Sequence, residues 1–539
     1  MADQPTTTLE LDVAIVGAGF AGMYMLHRMH QDQRAARVFE AASGVGGTWY
    51  WNRYPGARCD VESLEYCYSF DKDLEQEWSW PERYSTQPDI EKYANHVADR
   101  FDLRKDIQFN TRVTAATFDD ASERWIVETD QGDRVSAQYL VMGTGCLSAP
   151  IYPDFAGMES FSGESYHTGL WPKEEIDFGG KRVAIIGTGS SGIQATPVIA
   201  ETAKSVTVFQ RTPSFSLPSD NGPLDPVEVA DVKAHYDEVR AANQLLPAAL
   251  GARWGNARED SVLEASVAER EEVLEDAWTQ GGFTFMRAYP DLALTPEANT
   301  IAADFVRGKI RSTVEDPATA ALLSPEVPIG CKRMVMDSGY YEAFNQPNVS
   351  LVDIRAAPIE EITPDGIRTA DAQHDFDIIV YATGFDAMTG ALLRIDIRGR
   401  GGETLREAWS AGPRTYLGLN VAGFPNLFTI TGPGSPSVLA NMIIGIEQHV
   451  NFITDCMTHM SELGRQTIEA TPEAQESWVD HVNSVVEGTV FVDPRCNSWY
   501  LGANVEGKTR VFMPLPGYPQ YVEKCEEVVA KGYEGFVLA

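Results

Sequence analysis

Two copies of one glycine-rich pattern limit this chain to a small set of folds. Gly17, Gly19 and Gly22 follow an apolar run and precede an amphipathic stretch, and 187–192 repeats the same order of glycines. G-x-G-x-x-G between a strand and a helix is typical of a dinucleotide-binding βαβ unit, because glycines permit the tight turn and the close approach of a pyrophosphate. We therefore predict an α/β fold with two Rossmann-like dinucleotide-binding domains.

The residues at the end of each unit's second strand predict two different dinucleotides. Glu40 ends the first unit, where a carboxylate accepts hydrogen bonds from ribose hydroxyls. The second unit has no acid there and ends in Gln210, Arg211 and Thr212. A guanidinium pairs with a 2′-phosphate, whereas a carboxylate would repel it. We expect FAD in the first unit and NADPH in the second, the layout of a flavoprotein with two dinucleotide sites.

The order of these units along the chain predicts a divided FAD domain. Between the second glycine motif and the next predicted strand, an Ala-, Glu- and Val-rich stretch has helical spacing. The predicted parts are 1–145 (first part of the FAD domain), 146–385 (NADP domain, with a helical insertion at about 224–330) and 386–539 (second part of the FAD domain with the substrate-pocket segments).

Composition excludes several classes of function. The 539 residues carry 43 basic and 78 acidic side chains, a formal net charge of −35, which repels nucleic acid and anionic lipid. We expect neither nucleic acid nor a membrane as a partner, and a cytoplasmic location because no secretory signal is recognisable at the N-terminus. The seven cysteines include no C-x-x-C, so we expect reduced, mostly buried thiols and no metal site.

The segment between the two units carries a family fingerprint. Phe161, Gly163, His167, Trp171 and Pro172 fit F-x-G-x-x-x-H-x-x-x-W-P, and the chain thereby resembles the type I Baeyer–Villiger monooxygenases. Its sequence looks most like the branch that contains phenylacetone monooxygenase and cyclohexanone monooxygenase. Further matching blocks are GGTWYWNRYPGARCD at 46–60, KRMVMDSGYYEAFN at 332–345, ATGFD at 382–386 and WYLGANVEGK at 499–508.

The resemblance implies a reaction and a catalytic pair. A ketone would be converted to an ester or lactone with NADPH and O₂, through a flavin C4a-peroxide. Arg333 matches the family's catalytic arginine, and Asp60 matches the acid that positions it. A permanent cation with a fixed fork of donors lowers the energy of developing oxyanions in a dry site, which agrees with that role. His167 is interpreted as coupling cofactor binding to domain movement and not as a general base.

The same resemblance, together with the two glycine motifs, assigns the remaining site residues. Arg211 and Lys332 would hold one 2′-phosphate from two segments. The predicted FAD contacts are Gly17, Gly19, Phe20, Gly22, Glu40, Gly47, Thr48, Trp49, Asp60, Tyr66, Val113 and Met442. The predicted NADP contacts are Gly187, Thr188, Gly189, Ser190, Ser191, Gly192, Gln194, Arg211, Thr212, Lys332, Arg333 and Trp499. The predicted substrate contacts are Ser437, Val438 and Leu439.

Two other functions stay open at this point. One is a flavin monooxygenase that oxygenates sulfides or amines, against which Trp171, Pro172 and Arg333 argue. The other is a flavin-binding redox sensor without turnover, against which the intact Arg333 and Asp60 argue. The ketone could be cyclic, aryl-aliphatic or a steroid, since a few methyl groups shift selectivity by only about 1–3 kcal/mol. By family resemblance we expect a monomer.

Overall fold

The structure is a computed structural model that describes residues 9–255 and 258–539. The expectation about the N-terminal signal rests on residues 1–12, of which 1–8 lie outside the described residues. Within the described part of the chain, no helix combines the length and the apolar character needed to cross a membrane.

Residues 9–142 form the first dinucleotide-binding unit and its extension. Val13, Ala14 and Ile15 of the first strand are fully buried, as expected for a central parallel strand covered on both faces. The strands are β1 (Leu9–Val16), β2 (Ala36–Phe39), β3 (Ile107–Gln108), β4 (Val113–Asp119), β5 (Arg124–Thr129) and β6 (Arg134–Met142). The helices are α1 (Phe20–Gln31), α2 (Thr48–Trp51), α3 (Lys72–Glu77) and α4 (Gln87–Arg100).

Residues 164–381 contain the second unit and a run of helices inserted between its strands. The strands are β7 (Glu164–His167), β8 (Arg182–Ile186), β9 (Ser205–Gln210), β10 (Ser216–Pro218), β11 (Val335–Asp337), β12 (Val349–Asp353), β13 (Ile359–Thr363), β14 (Gly366–Thr369), β15 (Gln373–Asp375) and β16 (Ile378–Tyr381). The helices are α5 (Ser190–Ala200), α6 (Pro226–Ala234), α7 (Tyr236–Gln244), α8 (Val267–Gln280), α9 (Thr284–Arg287), α10 (Pro296–Thr313), α11 (Pro317–Leu323) and α12 (Tyr340–Ala343).

The C-terminal part returns to the first unit. Its helices are α13 (Gly390–Leu393), α14 (Leu405–Ala408), α15 (Met442–Leu463), α16 (Pro472–Val486) and α17 (Tyr518–Ala530). Its strands are β17 (Asp396–Arg398), β18 (Leu427–Thr429), β19 (Ile468–Ala470) and β20 (Phe536–Leu538). The long helix α15 packs along α1, so the C-terminal part completes the core of the first unit.

Two main sheets organise the molecule. In the first, β1 lies between β2 and β6 and is parallel to both, and β17 and β18 join from the C-terminal part. In the second, β8 lies between β9 and β16, all parallel, with β12 and β7 at the edges. These sheets confirm the predicted α/β class with two Rossmann-like units. The domain boundaries themselves stay a prediction.

The helices α6–α11 occupy the region where the sequence indicates a helical insertion. Part of this region packs on the first unit, because Arg240 of α7 donates a 2.6 Å hydrogen bond from Nε to the buried Glu75 of α3. Val232 and Tyr236 also join the core of the first unit. The insertion therefore bridges the two units.

The expectation of seven reduced cysteines is wrong for one pair. Cys331 and Cys496 form a disulfide, with a separation of 165 positions in sequence and a Cα–Cα distance of 6.3 Å. Their pairing depends on packing between distant segments, so neither their spacing nor the absence of C-x-x-C could predict it. The other five cysteines are free and buried.

Candidate active site

The first glycine turn is shaped for a pyrophosphate. A Cβ atom on Gly17, whose φ is +99°, would lie 2.7 Å from the Gly143 carbonyl oxygen, and one on Gly22 would lie 1.8 Å from the Gly17 carbonyl oxygen. Helix α1 begins at Phe20 without a side-chain cap, so its first N–H groups are available to an anion. The turn therefore fits the diphosphate of FAD.

Glu40 is fixed beside this turn. Its Oε2 accepts a 2.6 Å hydrogen bond from the Ala18 N–H, and its Oε1 accepts a 2.7 Å hydrogen bond from the Ala42 N–H. Burial raises the pKa of Glu40, and these two hydrogen bonds oppose that shift. The carboxylate is thus held in one orientation, with lone pairs left for a ribose.

A group of aromatic side chains adjoins the turn. The Trp49 Nε1 donates a 3.1 Å hydrogen bond to the Tyr66 hydroxyl, and the ring of Phe20 meets that of Tyr66 edge-on. Gly47 lies against the first glycine turn, where a Cβ on Gly47 would be 2.9 Å from the Gly19 Cα. Five of the predicted FAD contacts are therefore neighbours in space.

Two other predicted FAD contacts are placed differently. Met442 begins α15 and packs on the same core as Phe20 and Trp49. The Val113 side chain is buried in a separate core cluster with Trp125, so only its main chain is left to face a cofactor. The sequence could not separate these cases, because side-chain direction depends on the strand's register.

The second glycine turn has the same close backbone packing as the first, and it leaves open space at its middle glycine. A Cβ on Gly192 would lie 2.2 Å from the Gly187 carbonyl oxygen, whereas a Cβ on Gly189 would meet no atom within 4 Å. Helix α5 begins at Ser190 without a side-chain cap. Thr188 Oγ1 donates a 2.7 Å hydrogen bond to the Thr212 carbonyl and joins the turn to the end of β9. This turn fits the pyrophosphate of a second dinucleotide.

The Ser191 hydroxyl and the Gln194 amide, both close to this turn, form hydrogen bonds with other protein groups. Ser191 Oγ lies 3.0 Å from Thr168 Oγ1. Gln194 accepts a 2.8 Å hydrogen bond from the Tyr54 hydroxyl and donates one of 3.2 Å to the Arg58 carbonyl. Tyr54 and Arg58 belong to the first unit, so Gln194 connects the two units.

The two predicted phosphate-binding cations lie in one region. Arg211 is exposed just after β9, and Lys332 lines a cleft with Ser214 and Arg333. Burial, and then the nearby charge of Arg211, lower the pKa of Lys332 to about 8. Mutual repulsion of two cations from separate segments is the expected cost of a site for a phosphate dianion.

Arg333 is the most constrained charged group of the site. Its Nε donates a 2.6 Å hydrogen bond to Asp60 Oδ2, and its Nη2 donates one of 2.8 Å to Oδ1. Its Nη1 donates to the Val438 carbonyl, and its guanidinium lies over the Phe283 ring at 5.4 Å. Burial opposes the charge, but the Asp60 carboxylate outweighs burial and raises the pKa of Arg333. The guanidinium is therefore a permanent, oriented cation.

Sequence reasoning missed two neighbours of Arg333. Phe283 lies in the helical insertion, where no motif marks it. Tyr500 is buried beside Arg333, and burial raises the pKa of its hydroxyl to about 12 although the charge of Arg333 lowers it. Its position directly after Trp499 in the WYLGANVEGK block is the one signal that could have found it.

The predicted substrate segment adjoins the guanidinium. Ser437 has a φ of +43°, which is uncommon for a residue with a side chain, and its Oγ donates a 3.0 Å hydrogen bond to the Thr431 carbonyl. This turn presents the Val438 carbonyl to Arg333. Leu439 is half-buried against the same core as Trp499 and Phe283. Residues 437–439 therefore hold Arg333 through the Val438 carbonyl and lie next to it.

His167 is a buried connector. Its Nδ1 accepts a 3.0 Å hydrogen bond from the Gly169 N–H, so the proton is on Nε2, which lies 3.2 Å from the Ile151 carbonyl. Thr383 Oγ1 lies 3.2 Å from the same nitrogen. Burial lowers the pKa of His167, so the ring is neutral. These contacts join the fingerprint to the ATGFD block and support a conformational role.

Comparison with known proteins identifies the family. Residues 10–233 match the family model described as flavin-binding monooxygenase-like. A Baeyer–Villiger monooxygenase of Pseudooceanicola batsensis is 42% identical over 99% of this chain and 97% of its own length. The chain belongs to the Baeyer–Villiger monooxygenases. As a member of this family it is a flavoprotein monooxygenase whose cofactors are FAD and NADPH.

Solved structures of two other monooxygenases share the whole fold. An oxidised steroid monooxygenase bound to NADP is 51% identical, with a TM-score of 0.93 over 98% of this chain and 99% of that one. A closed crystal structure of cyclohexanone monooxygenase is 40% identical, with a TM-score of 0.96 over 99% of this chain and 100% of that one. The family resemblance predicted from the sequence is confirmed.

Proposed function

We propose that Arg333, held by Asp60, is the group with which this Baeyer–Villiger monooxygenase converts ketones to esters or lactones. The observation that carries the proposal is the geometry of the guanidinium. Of its five N–H donors, two bond Asp60 and one bonds Val438, and the remaining donors, which lie beside the Tyr500 hydroxyl, are the ones that would meet a substrate oxygen. Because the group is already oriented, it stabilises a developing oxyanion without reorganising.

The cofactors supply the redox chemistry, since NADPH provides a hydride and FAD transfers electrons to O₂ when both are bound. The protein's part is to bind, orient and exclude water. The glycine turns and uncapped N-termini of α1 and α5 hold the pyrophosphates, and Arg211 and Lys332 select the 2′-phosphate. The Phe283 ring lies against the Arg333 guanidinium and Tyr500 is buried beside it, so charges there are poorly screened by water.

We propose a hydrophobic ketone as the substrate. The Phe283 ring lies against the Arg333 guanidinium and the Val438 segment adjoins it, and such apolar surroundings suit a single carbonyl oxygen. Cyclic, aryl-aliphatic and steroid ketones all match this description. The high identity to a steroid monooxygenase supports including bulky ketones in the panel to be tested.

The division of the chain adds a conformational part to the proposal. We place the domain boundaries at 145/146 and 385/386, beside two glycines with positive φ, Gly145 (+70°) and Gly384 (+81°). Rotation at these turns would move the NADP domain over the flavin. His167 lies against the second turn and would transmit cofactor binding to it. The proposed form is a cytoplasmic monomer.

The experiment starts from the anaerobic enzyme reduced by NADPH. Oxygen is then mixed in rapidly with cyclic, aryl-aliphatic or steroid ketones, and the products are analysed by mass spectrometry. We expect an ester or lactone from the wild-type enzyme. Arg333→Ala should keep FAD and lose ester formation by at least about 10²-fold, the typical cost of one oxyanion donor.

A matched control is Arg182→Ala. Arg182 also pairs with one aspartate through two nitrogens, but it lies at the start of β8. This variant should retain ester formation. Sulfoxide or N-oxide products without any ester would favour the alternative oxygenation chemistry. Normal ester formation by Arg333→Ala would refute the role of the arginine.

A further inference from the structure

The Cys331–Cys496 disulfide joins two segments that both reach the active site. Cys331 directly precedes Lys332 and Arg333, and Cys496 lies three residues before Trp499. Cys331 lies in the proposed NADP domain, and Cys496 follows α16 in the C-terminal part of the chain. Their bond is therefore a covalent link between the segment of Arg333 and the segment that carries Tyr500, which lies beside Arg333.

We name residues 487–517, which lie between α16 and α17 and include Cys496, Trp499 and Tyr500, the strap. Noncovalent contacts also hold it. Asn504 donates a 2.9 Å hydrogen bond to the Phe385 carbonyl, and Lys508 Nζ lies 2.5 Å from Asp386 Oδ1. These contacts tie the strap to the ATGFD block. The side containing Trp499 and Tyr500 is tied covalently to the segment of Arg333 through the disulfide.

The position of the disulfide makes its reduction depend on movement of the strap. Cys331 and Cys496 are 1% and 0% exposed. A reducing thiol cannot reach the sulfur atoms unless the strap moves away. Conversely, the two thiols can pair only when the strap is in place. The redox state of the pair and the closure of the strap are thus linked.

We propose that Cys331 and Cys496 are a reversible oxidation site that controls how firmly the strap covers the active site. In the forward step one thiolate attacks hydrogen peroxide, giving a sulfenic acid and hydroxide, and the second thiol displaces hydroxide from the sulfenic sulfur. The sum is two thiols and one hydrogen peroxide giving one disulfide and two waters. A small dithiol restores the thiols by exchange and is itself oxidised to a disulfide.

Hydrogen peroxide is the product expected when reduced flavin reacts with O₂ and no ketone is oxygenated. Turnover without substrate would then close the strap over Arg333. We expect the oxidised enzyme to bind NADP⁺ more tightly, because Trp499 and Lys332 are predicted NADP contacts and lie on the two segments that the disulfide joins. This expectation rests on the proposed NADP site, whereas the linkage between thiol state and strap movement does not.

The test compares the oxidised and reduced forms of the full-length holoenzyme. One sample is treated with one equivalent of hydrogen peroxide and another with dithiothreitol, and both are then freed of reagent. Thiols counted after denaturation should number five in the first and seven in the second, since the protein has seven cysteines of which five are free. Protease cleavage within 487–517 should be faster in the reduced form.

NADP⁺ affinity is measured on the same samples by calorimetry. Loss of an intramolecular tether lowers the effective concentration of the tethered segment, so the Kd should rise by about tenfold on reduction. Saturating NADP⁺ should in turn slow the reaction of the disulfide with dithiothreitol. Cys331→Ser/Cys496→Ser should show the cleavage rate and NADP⁺ affinity of the reduced form under both treatments, with five thiols in each, and Cys456→Ala, which alters a free cysteine of α15, should change its cleavage rate and affinity as the wild type does.

Equal cleavage rates of the two wild-type forms, or seven thiols after peroxide treatment, would overturn the proposal. The wild-type comparison needs no variant to fold. Changed cleavage with unchanged NADP⁺ affinity would refute the assigned NADP contacts and leave the oxidation site standing. None of these readouts uses ester formation, so an incorrect ketone does not affect them.

Discussion

Removing the carboxylate of Asp60 should disable Arg333 without removing it. Asp60→Ala deletes the two charge-assisted hydrogen bonds of 2.6 and 2.8 Å. Such bonds contribute ~1.5–3 kcal/mol each, and breaking a buried ion pair costs ~3–5 kcal/mol. The Arg333 and Asp60 side chains are 23% and 25% exposed, so solvent screening favours the lower end, about 3 kcal/mol.

Loss of this interaction energy should slow catalysis because the guanidinium of Arg333 would no longer be held in one orientation. In Asp60→Ala the Val438 carbonyl and the Phe283 ring remain as its contacts. A loss of about 3 kcal/mol of orientation corresponds to a fall in kcat of roughly 10²-fold. Asp60→Asn keeps one acceptor and the side-chain volume, so we expect a smaller loss of about tenfold.

The assay follows ester formation and NADPH consumption together, with FAD content measured on each variant. The control is Asp377→Ala, which breaks the two-nitrogen pairing with Arg182 at the start of β8 and should lower stability without lowering the ester yield per NADPH. Wild-type kcat and ester yield in Asp60→Ala would show that Asp60 does not position the arginine.

Three further predictions follow from the geometry of the NADP site and the linker. The pKa of Lys332 is about 8, so the Kd for NADPH should rise by up to about tenfold per pH unit above pH 8 as the ammonium loses its proton. The Kd for NADH, and the Kd of the Lys332→Met variant for NADPH, should not show this pH dependence. A pH-independent Kd for NADPH in the wild type would contradict the prediction. Gly189→Val should change the free energy of unfolding by less than ~0.5 kcal/mol, since a Cβ there meets no protein atom, yet raise KM for NADPH at least about tenfold by occupying the pyrophosphate's space; a large stability loss in thermal melts, or an unchanged KM, would count against this geometry. His167→Phe should slow flavin reduction in stopped-flow experiments by about tenfold or more through two lost hydrogen bonds, while the pH profile of kcat/KM between 6 and 8 keeps its wild-type shape; disappearance of an ionisation in that range would instead identify His167 as a titrating catalyst.

Local patterns were enough to predict both nucleotide-binding units. Their βαβ elements are short stretches of chain in which strand, glycine turn and helix follow one another, so hydrophobic periodicity and turn chemistry determine them locally. Glu40 and Arg211 could be assigned for the same reason, since each lies at a fixed offset from its glycine motif. The family resemblance then directed attention to Arg333 and Asp60, which are 273 residues apart and which the fold places in contact.

Tertiary structure alone decided which distant groups meet. Phe283 and the Val438 carbonyl complete the surroundings of Arg333 from separate parts of the chain, and Val113 turns its side chain into a core because of the register of β4. Cys331 and Cys496 could be counted but not paired, because the approach of two segments depends on how helices and sheets pack between them. The sequence by itself therefore determined the two units and their cofactors and, through the family resemblance, pointed to Arg333 as the proposed catalytic arginine, whereas the anchors of that arginine and the disulfide beside it depend on long-range packing, which no local spacing encodes.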